Sequence, residues 1–293
     1  MQNTKKSNFD EKIMQAIFFL SALISVLAVI AICLFLFMRG IPAIAEIGFM
    51  DFIFNEKWGP TNKPASYGIL SMIAGSIYVT AGAIVIGVPV GLMCAIFLAE
   101  FCPDNVYKIV KPAVNLLAGI PSIIYGFFGM EAIVPFVREN LGGNGYGIMS
   151  ASIILGIMIL PTIISISESS IRAVPKSYGE GSYGLGATKE ETVFNVIVPA
   201  AKSGILTSII LGVGRAAGET MAVVMVAGNA VMPLDKIELL KPIRTLTANI
   251  VTEMSYASGL HESALISTGV VLFVFIIILN ISLSLIKSKA QRN

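Results

Sequence analysis

Six long apolar stretches constrain this chain more strongly than any other feature of its sequence. Each has the length of about 20 residues that an α-helix needs to cross the hydrocarbon core of a bilayer. In lipid, a spanning segment must satisfy its own backbone hydrogen bonds, which favours helices. We therefore predict an all-α integral membrane protein with six transmembrane helices. The predicted spans are Ile13–Met38, Ile69–Leu98, Ile109–Phe128, Ile148–Ile166, Ala201–Val226 and Ser263–Ile286.

The composition agrees with a surface that faces lipid. Only 13% of the 293 residues are charged, 55% are hydrophobic, and the mean hydropathy is +0.83. Soluble domains carry roughly 25% charged residues, so a soluble protein of this composition could not cover its own surface. The net charge of +2 predicts no nucleic-acid-binding surface. The three cysteines lack metal-ligand spacing and are interpreted as packing residues.

The first apolar stretch has two possible interpretations. Three lysines precede it, and Ala43-Ile44-Ala45 superficially matches a signal-peptidase site. However, the stretch is 26 residues long, whereas the apolar region of a signal peptide has about 7–15. We therefore expect residues 1–40 to form a cytoplasmic N-terminus and an uncleaved membrane anchor.

The distribution of lysine and arginine orients the predicted spans. With both termini in the cytoplasm, twelve basic residues lie inside and seven outside, and one lies within a span. This arrangement follows the positive-inside rule. It predicts an outer loop at residues 41–68, a membrane core at 69–287 and a cytoplasmic tail at 288–293. Within the core, the longest polar cytoplasmic stretch contains residues 175–199.

Several chemistries have no sequence support. No Gly-Lys dipeptide occurs, which excludes a Walker A loop. The single histidine, His261, is interpreted as a surface residue, and no nucleophile–base pair or metal-ligand cluster is evident. Residues 179–184 match G-x-G-x-x-G, but a membrane helix rather than a buried strand precedes them, so we reject a dinucleotide site. The sequence predicts a non-enzyme with no cofactor and no metal.

Three predicted spans contain an internal proline. Because proline removes a backbone donor, Pro89, Pro121 and Pro161 are expected to kink their helices. Kinked helices often line a pathway, but proline is also tolerated in ordinary membrane bundles. The sequence leaves both interpretations open.

The fifth span carries the only basic residue that lies away from the ends of a predicted helix. Arg215 lies about fourteen residues into this span, and Glu219 follows one turn later. A charge near the bilayer centre costs roughly 2.5–3.5 kcal/mol on insertion scales. Residues at i and i+4 share a helix face, so the two side chains are expected to pair, with Gly214 and Gly218 allowing close helix approach. The pair is either a packing device or part of an anion pathway, and the second interpretation is favoured because a guanidinium binds oxyanions in a fork.

The loop before the fifth span resembles the EAA loop of ABC-importer permeases. The resemblance rests on Glu180, the small residues Gly181 and Ser182, and the segment Gly186-Ala187-Thr188, followed by an aliphatic segment that ends at Pro199. Gly181-Ser182 replaces the more usual Ala-Ala. The resemblance implies that residues 175–199 form short coupling helices that dock on an ATPase subunit. Pro199 is expected to begin the next span at its first turn.

Further segments narrow this resemblance to the phosphate-specific permeases of the PstC type. They are Trp58-Gly59-Pro60 ahead of Tyr67-Gly68-Ile69-Leu70, residues 117–126, and residues 214–222. The resemblance implies a type I ABC-importer permease (MetI-like) fold. It also implies a pore shared with a PstA-type permease, a PstB-type ATPase dimer, a PstS-type phosphate-binding protein, and phosphate passing Arg215 and Glu219.

Two alternatives remain at this stage. The chain could serve an importer of another oxyanion, such as sulfate or molybdate, or it could be a secondary anion transporter that works alone. A membrane-embedded enzyme is disfavoured because no span contains a catalytic pair.

Overall fold

The computed structural model describes residues 3–292, so Met1, Gln2 and Asn293, the ends of the predicted cytoplasmic tails, lie outside the described residues. Fourteen α-helices, three π-helical turns, a two-stranded hairpin and a 3-10 turn follow one another in this part of the chain. The α-helices are α1 Asn3–Ile47, α2 Phe49–Phe54, α3 Leu70–Ile96, α4 Asp104–Ala118, α5 Ser122–Phe128, α6 Val134–Asn140, α7 Ile148–Arg172, α8 Lys176–Gly184, α9 Lys189–Thr192, α10 Val198–Ala200, α11 Lys202–Gly218, α12 Met221–Val226, α13 Leu246–Glu253 and α14 Leu260–Arg292. The π-helical turns are Phe97–Phe101, Gly129–Ile133 and Val193–Ile197, and the 3-10 turn is Leu234–Lys236. The strands are β1 Trp58–Gly59 and β2 Ser66–Tyr67, which pair antiparallel.

Six candidate membrane spans emerge when each bent helix pair is counted as one span. Four are continuous, at Ile13–Ile47, Leu70–Phe101, Ile148–Arg172 and Leu260–Leu285. The other two are bent pairs: Asp104–Ala118 with Ser122–Asn140, and Lys189–Ala200 with Lys202–Gly218. The predicted all-α membrane fold is therefore confirmed, although two spans are not simple helices.

The third predicted span is wrong as a continuous helix. Residues 109–128 were expected to form one span, but α4 ends at Ala118 and α5 starts at Ser122. The angle between Asp104–Ala118 and Ser122–Asn140 is 101°. Pro121 causes more than the expected kink, because its ring disfavours helical geometry at Ile120. Pro89 and Pro161 instead lie inside α3 and α7, which both continue past them.

Several predicted ends also move. The long helix of the fifth span, α11, begins at Lys202, after a 68° bend. It ends at Gly218, whereas the sequence predicted an end at Val226. The first helix runs to Ile47, so it extends nine residues beyond the predicted end of the first span at Met38. Apolar patterning locates lipid-compatible segments, but flanking polar residues also join a helix when its hydrogen bonds are satisfied.

Helix α7 forms the centre of the bundle. Two-thirds of its most apolar stretch is buried, whereas none of the corresponding stretch of α1 is buried. It runs parallel to α3, and glycines of α3 face it at successive turns: a Cβ at Gly82 would meet Ser152, one at Gly87 would meet Gly156 and Ile159, and one at Gly91 would meet Ile163. Without side chains at these points, the two helices approach closely enough for dense packing.

Helices α1 and α14 pack together at the edge of the bundle. Ser267 Oγ donates to the Gly40 carbonyl at 2.8 Å, and the missing side chain of Gly40 leaves room for Val270. Most of α1 is exposed and apolar, as expected of a helix that faces lipid.

The two ends of the bundle differ in structure. We call the end that carries the β1–β2 hairpin the hairpin side, and the end that carries α8 the coupling side. α3 and α7 start at the hairpin side, where Met149 N donates to the Leu239 carbonyl, and finish at the coupling side, where Arg172 reaches the Leu98 carbonyl.

The glycine contact between α3 and α7 generates a stability prediction. In Gly87→Ala, the new Cβ would lie 2.8 Å from both the Gly156 carbonyl and Ile159, so the helices must separate. Overpacking of this kind costs about 1–3 kcal/mol. We expect a lower melting temperature in detergent, measured by differential scanning fluorimetry. The matched control is Gly181→Ala, where a Cβ meets nothing within 4 Å. An equal effect of the two substitutions would contradict the assigned packing.

Candidate functional site

The segment that resembles an EAA loop, residues 175–199, folds as a short helical hairpin. We call it the coupling hairpin, to distinguish it from the β1–β2 hairpin at the other end of the bundle. Helix α8 ends at Gly184, and Gly186 then adopts φ +90°, a left-handed conformation that favours glycine. Thr188 starts α9 with a capping box, in which its hydroxyl accepts from Glu191 N and its own N donates to Glu191 Oε2 at 2.8 Å. The donation from Thr188 N, and a second one from its hydroxyl, hold the pKa of Glu191 below its ordinary value. These contacts define a compact turn.

The outer surface of this hairpin is open. Glu180, Gly181 and Gly186 are exposed, and a Cβ at either glycine would meet nothing within 4 Å. Ser182 and Ala187 are half-buried, and Ser182 Oγ is bonded to Thr192 Oγ1 at 2.9 Å, which ties the two arms together. The predicted loop residues therefore lie in one small structure.

Large apolar side chains complete this surface. Leu185 at the tip is 92% exposed, and Tyr178, Tyr183 and Phe194 are also exposed. The sequence reasoning did not select them, although aromatic and aliphatic residues within a polar loop are a usable signal. A chain in solution or in a headgroup region gains little from exposing them, so the surface has the character of a contact site.

Pro199 differs from its expected place. It lies in α10, ahead of the 68° bend, whereas α11, the long helix after that bend, begins at Lys202. The expectation that Pro199 forms the first turn of the span is therefore wrong. It belongs to the final turn of the arm that returns from the hairpin.

Arg215 and Glu219 do not share a helix face. Helix α11 ends at Gly218, and Glu219 has extended backbone angles of φ −70° and ψ 134°. Among residues 3–292, no ion pair joins these two side chains. The predicted i, i+4 pair is wrong because the helix stops between its two members.

Glu219 instead stabilises the helix break. Its Oε1 accepts from Ala222 N at 3.2 Å, which satisfies an otherwise free donor at the start of α12. Its carbonyl accepts from Thr247 Oγ1 at 3.2 Å. A small cavity next to it is lined by Ser76, Thr80, Thr245 and Thr247 together with five apolar residues. The carboxylate is therefore engaged at the start of α12 and forms no ion pair with Arg215.

Arg215 forms no ion pair within the described part of the chain. It lies half-buried in the last turn of α11 and forms neither an ion pair nor a hydrogen bond there. The two flanking glycines do not bring a neighbouring backbone close, as was expected: a Cβ at Gly214 would meet only the Asn280 amide oxygen at 3.8 Å, and one at Gly218 would meet nothing within 4 Å. The hydrogen-bond donors of the Arg215 guanidinium are thus not used within the described residues.

The comparison with known proteins gives the family. Residues 87–292 match the family described as the inner-membrane component of binding-protein-dependent transport systems. The probable ABC transporter permease protein YqgH of Bacillus subtilis is 38% identical over 257 residues, which cover 86% of this chain and 83% of that protein. The chain belongs to this family of ABC-importer permeases.

A second relative and a solved structure agree with this assignment. The phosphate transport system permease protein PstC of Mesorhizobium japonicum is 38% identical to the permease over 253 residues, covering 79% of this chain and 76% of that one. The inward-facing MetNI methionine ABC transporter has a TM-score of 0.59 at 20% identity, over 76% of the permease and 97% of the other chain. The PstC-type resemblance and the MetI-like fold are confirmed, and the relatives are permease subunits rather than enzymes.

A buried ionic network on the hairpin side of the permease was missed by the sequence reasoning. Glu253, 7% exposed, accepts from Trp58 Nε1 at 2.9 Å and pairs with Arg244 and with His261 Nε2 at 2.9 Å. Arg244 also donates to the Asn249 side chain. His261 is therefore not the plain surface residue expected, and the Trp58 indole is engaged within the protein. No periodicity links these residues, so only the fold reveals the network.

The network predicts unequal effects of two neighbouring substitutions. Arg244→Met leaves the buried Glu253 without its strongest partner, which typically costs about 3–5 kcal/mol. Lys241→Met breaks the pair with Glu238, whose side chains are 43% and 61% exposed, and such surface pairs are worth about 0–1 kcal/mol. We expect only Arg244→Met to lower the melting temperature strongly in detergent. Similar melting temperatures for the two variants would show that the buried network contributes no particular stability.

Proposed function

We propose that this permease forms half of a transmembrane pathway for inorganic phosphate in an ATP-driven importer. The observation that carries the proposal is the uncompensated guanidinium of Arg215 at a broken span, in a chain with 38% identity to a phosphate transport permease. An arginine inside a membrane span costs free energy, so one that is present usually has a function. A planar guanidinium donates two parallel hydrogen bonds to an oxyanion, which suits phosphate.

The separation of Arg215 from Glu219 has a functional consequence. A carboxylate paired with Arg215 would compete with a passing anion for the same donors. Because Glu219 caps α12 instead, the guanidinium of Arg215 stays available. The negative charge of Glu219, four residues further along the chain, weakens anion binding. Weak, transient binding allows release, whereas tight binding would trap the substrate.

The importer is proposed to contain three further components. A PstA-type permease supplies the other half of the pore, a PstB-type ATPase dimer docks on residues 175–199, and a PstS-type protein delivers phosphate. The hairpin side offers that protein a groove of about 790 Å³, lined by Asp51, Glu56, Lys57 and Trp58 among others. We place the permease in the inner membrane. The distribution of basic residues favours a cytoplasmic location for the coupling side and for both termini.

The role of Arg215 predicts loss of transport without loss of assembly. In Arg215→Gln, the amide keeps similar length but carries no charge, and we expect phosphate uptake to fall at least about tenfold, equivalent to 1.4 kcal/mol. The measurement is radiolabelled phosphate uptake into cells or proteoliposomes, with co-purification of the other subunits as the assembly check. Arg138→Gln, an exposed position in the last turn of α6, is the control.

Three results would contradict this proposal. Unimpaired phosphate uptake by well-expressed Arg215→Gln would remove the role of Arg215. Uptake of labelled sulfate or molybdate, with none of phosphate, by the unmodified complex would replace phosphate as the substrate. Uptake by the permease alone, without nucleotide, would favour a secondary transporter.

The proposed ATPase contact is tested by placing a large charged side chain at the tip of the coupling hairpin. Gly186→Arg strains a left-handed position and projects a cation from the open surface, so the ATPase should no longer co-purify and transport should cease. The matched control is Gly142→Arg on the opposite side. Gly142 has φ +93° and likewise nothing within 4 Å of its Cβ position, so the local strain is similar. Retained ATPase binding in Gly186→Arg, or equal loss in both variants, would refute docking at this loop.

A further inference from the structure

Glu168 is a second buried carboxylate, located near the coupling-side end of α7. Its side chain is only 2% exposed and has three polar partners. Lys111 Nζ lies 2.6 Å from Oε2, whereas Arg172 Nε lies 2.7 Å and the Tyr107 hydroxyl 2.8 Å from Oε1. All three donate to the carboxylate, so both its oxygens are engaged. We call Glu168, Tyr107, Lys111 and Arg172 the carboxylate clamp.

The clamp joins three parts of the bundle. Tyr107 and Lys111 belong to α4, whereas Glu168 and Arg172 belong to α7. Arg172 Nη2 also donates to the carbonyl of Leu98, in the π-helical turn that ends the span of α3, and its guanidinium lies 4.5 Å from the centre of the Tyr107 ring. Each additional contact restricts the same small set of side chains, so the three segments are expected to move together at this point.

The clamp lies at the root of the coupling hairpin. Arg172 is the last residue of α7, and α8 begins at Lys176, only four positions later. A groove of about 380 Å³ separates the end of α3 from α8 and is lined by Glu100, Arg172, Lys176 and Glu180. One of the two connections between the hairpin and the bundle therefore runs through the residues held by Glu168, and the other runs through α10 into α11.

The other side of the clamp leads toward Arg215. Helix α4 continues to the bend at residues 119–121, which the Tyr125 hydroxyl closes by donating to the Leu117 carbonyl at 2.8 Å. Gly126 of the following α5 lies against Met225 and Ala222 of α12. Helix α12 starts directly after the break that Glu219 caps. A contiguous set of contacts thus connects the hairpin root with the end of α11.

A purely structural role accounts poorly for this arrangement. Replacing a buried ion pair by well-packed apolar residues is often neutral or stabilising. Four polar groups at one helix junction instead provide a directional connection that resists both separation and rotation of α4. This geometry suits a segment that must transmit a displacement.

We propose that Glu168 is a positioning residue that clamps α4 to the root of the coupling hairpin. Movement of the hairpin then carries α4 and α5 with it and reorients the break beside Arg215. The proposal rests on the proposed function, since it assigns the structural connection between ATP hydrolysis and the phosphate pathway. It assigns Glu168 no contact with phosphate or nucleotide.

The test is the ratio of phosphate transported to ATP hydrolysed in the complete importer. In Glu168→Gln, we expect this ratio to fall between about 2-fold and 30-fold, the range that residues along a coupling route produce. ATP hydrolysis and co-purification of the ATPase should persist, because the hairpin surface is unchanged. Tyr107→Phe removes one hydrogen bond but keeps the ring under Arg172, so it should fold normally and lower the ratio less. Glu238→Gln, which breaks the exposed pair with Lys241, is the matched control.

The outcomes distinguish this proposal from the proposed function. An unchanged ratio in Glu168→Gln and Tyr107→Phe would overturn the clamp, as would a parallel fall of transport and hydrolysis with loss of the ATPase. If Glu168→Gln fails to fold, Tyr107→Phe alone decides, and an unchanged ratio there overturns the proposal. Absence of phosphate transport by the unmodified complex would instead refute the proposed function.

Discussion

The close approach of α3 and α7 is the interaction on which the rest of the bundle depends. Lipid is as apolar as the helix surfaces, so burial alone does not drive association, and helices are held by dense packing and by polar contacts. Gly82, Gly87 and Gly91 remove side chains where the two helices meet. Helices α4, α5 and α11 then pack around α7. We call the packed pair of α3 and α7 the central platform. Any separation of these two helices would move the surface against which both broken spans pack.

Two buried carboxylates secure opposite ends of this platform. Glu253 holds the β-hairpin, α13 and the start of α14 together, and Glu168 holds α4 and the end of α3 to α7. In both networks the charge is neutralised by several donors, which is what a low-dielectric site requires. Arg215 differs, because the described residues provide it with no ion pair or hydrogen bond. The contrast separates charges that hold the fold from a charge that is left available.

The breaks at residues 119–121 and 219–220 interrupt helical hydrogen bonding within the membrane region. Free backbone groups are tolerated there only when protein or water satisfies them. Tyr125 and Thr247 donate to the carbonyls of Leu117 and Glu219, and the Glu219 carboxylate accepts from Ala222 N. The two breaks are connected through the contact of α5 with α12, so they form one irregular region next to Arg215.

The sequence by itself determined the membrane fold, the six apolar segments, the family resemblance and the position of the coupling hairpin. These properties depend on local composition and spacing, because lipid selects long apolar helices and glycine selects left-handed turns. Tertiary structure decided that Glu219 caps α12 and does not pair with Arg215, that Pro121 marks a sharp bend, and that Pro199 precedes the span. It also decided the partners of Glu168 and Glu253, which lie up to 195 positions away along the chain. Such contacts have no periodic signature, since they arise only when separate helices pack and leave particular polar groups without water.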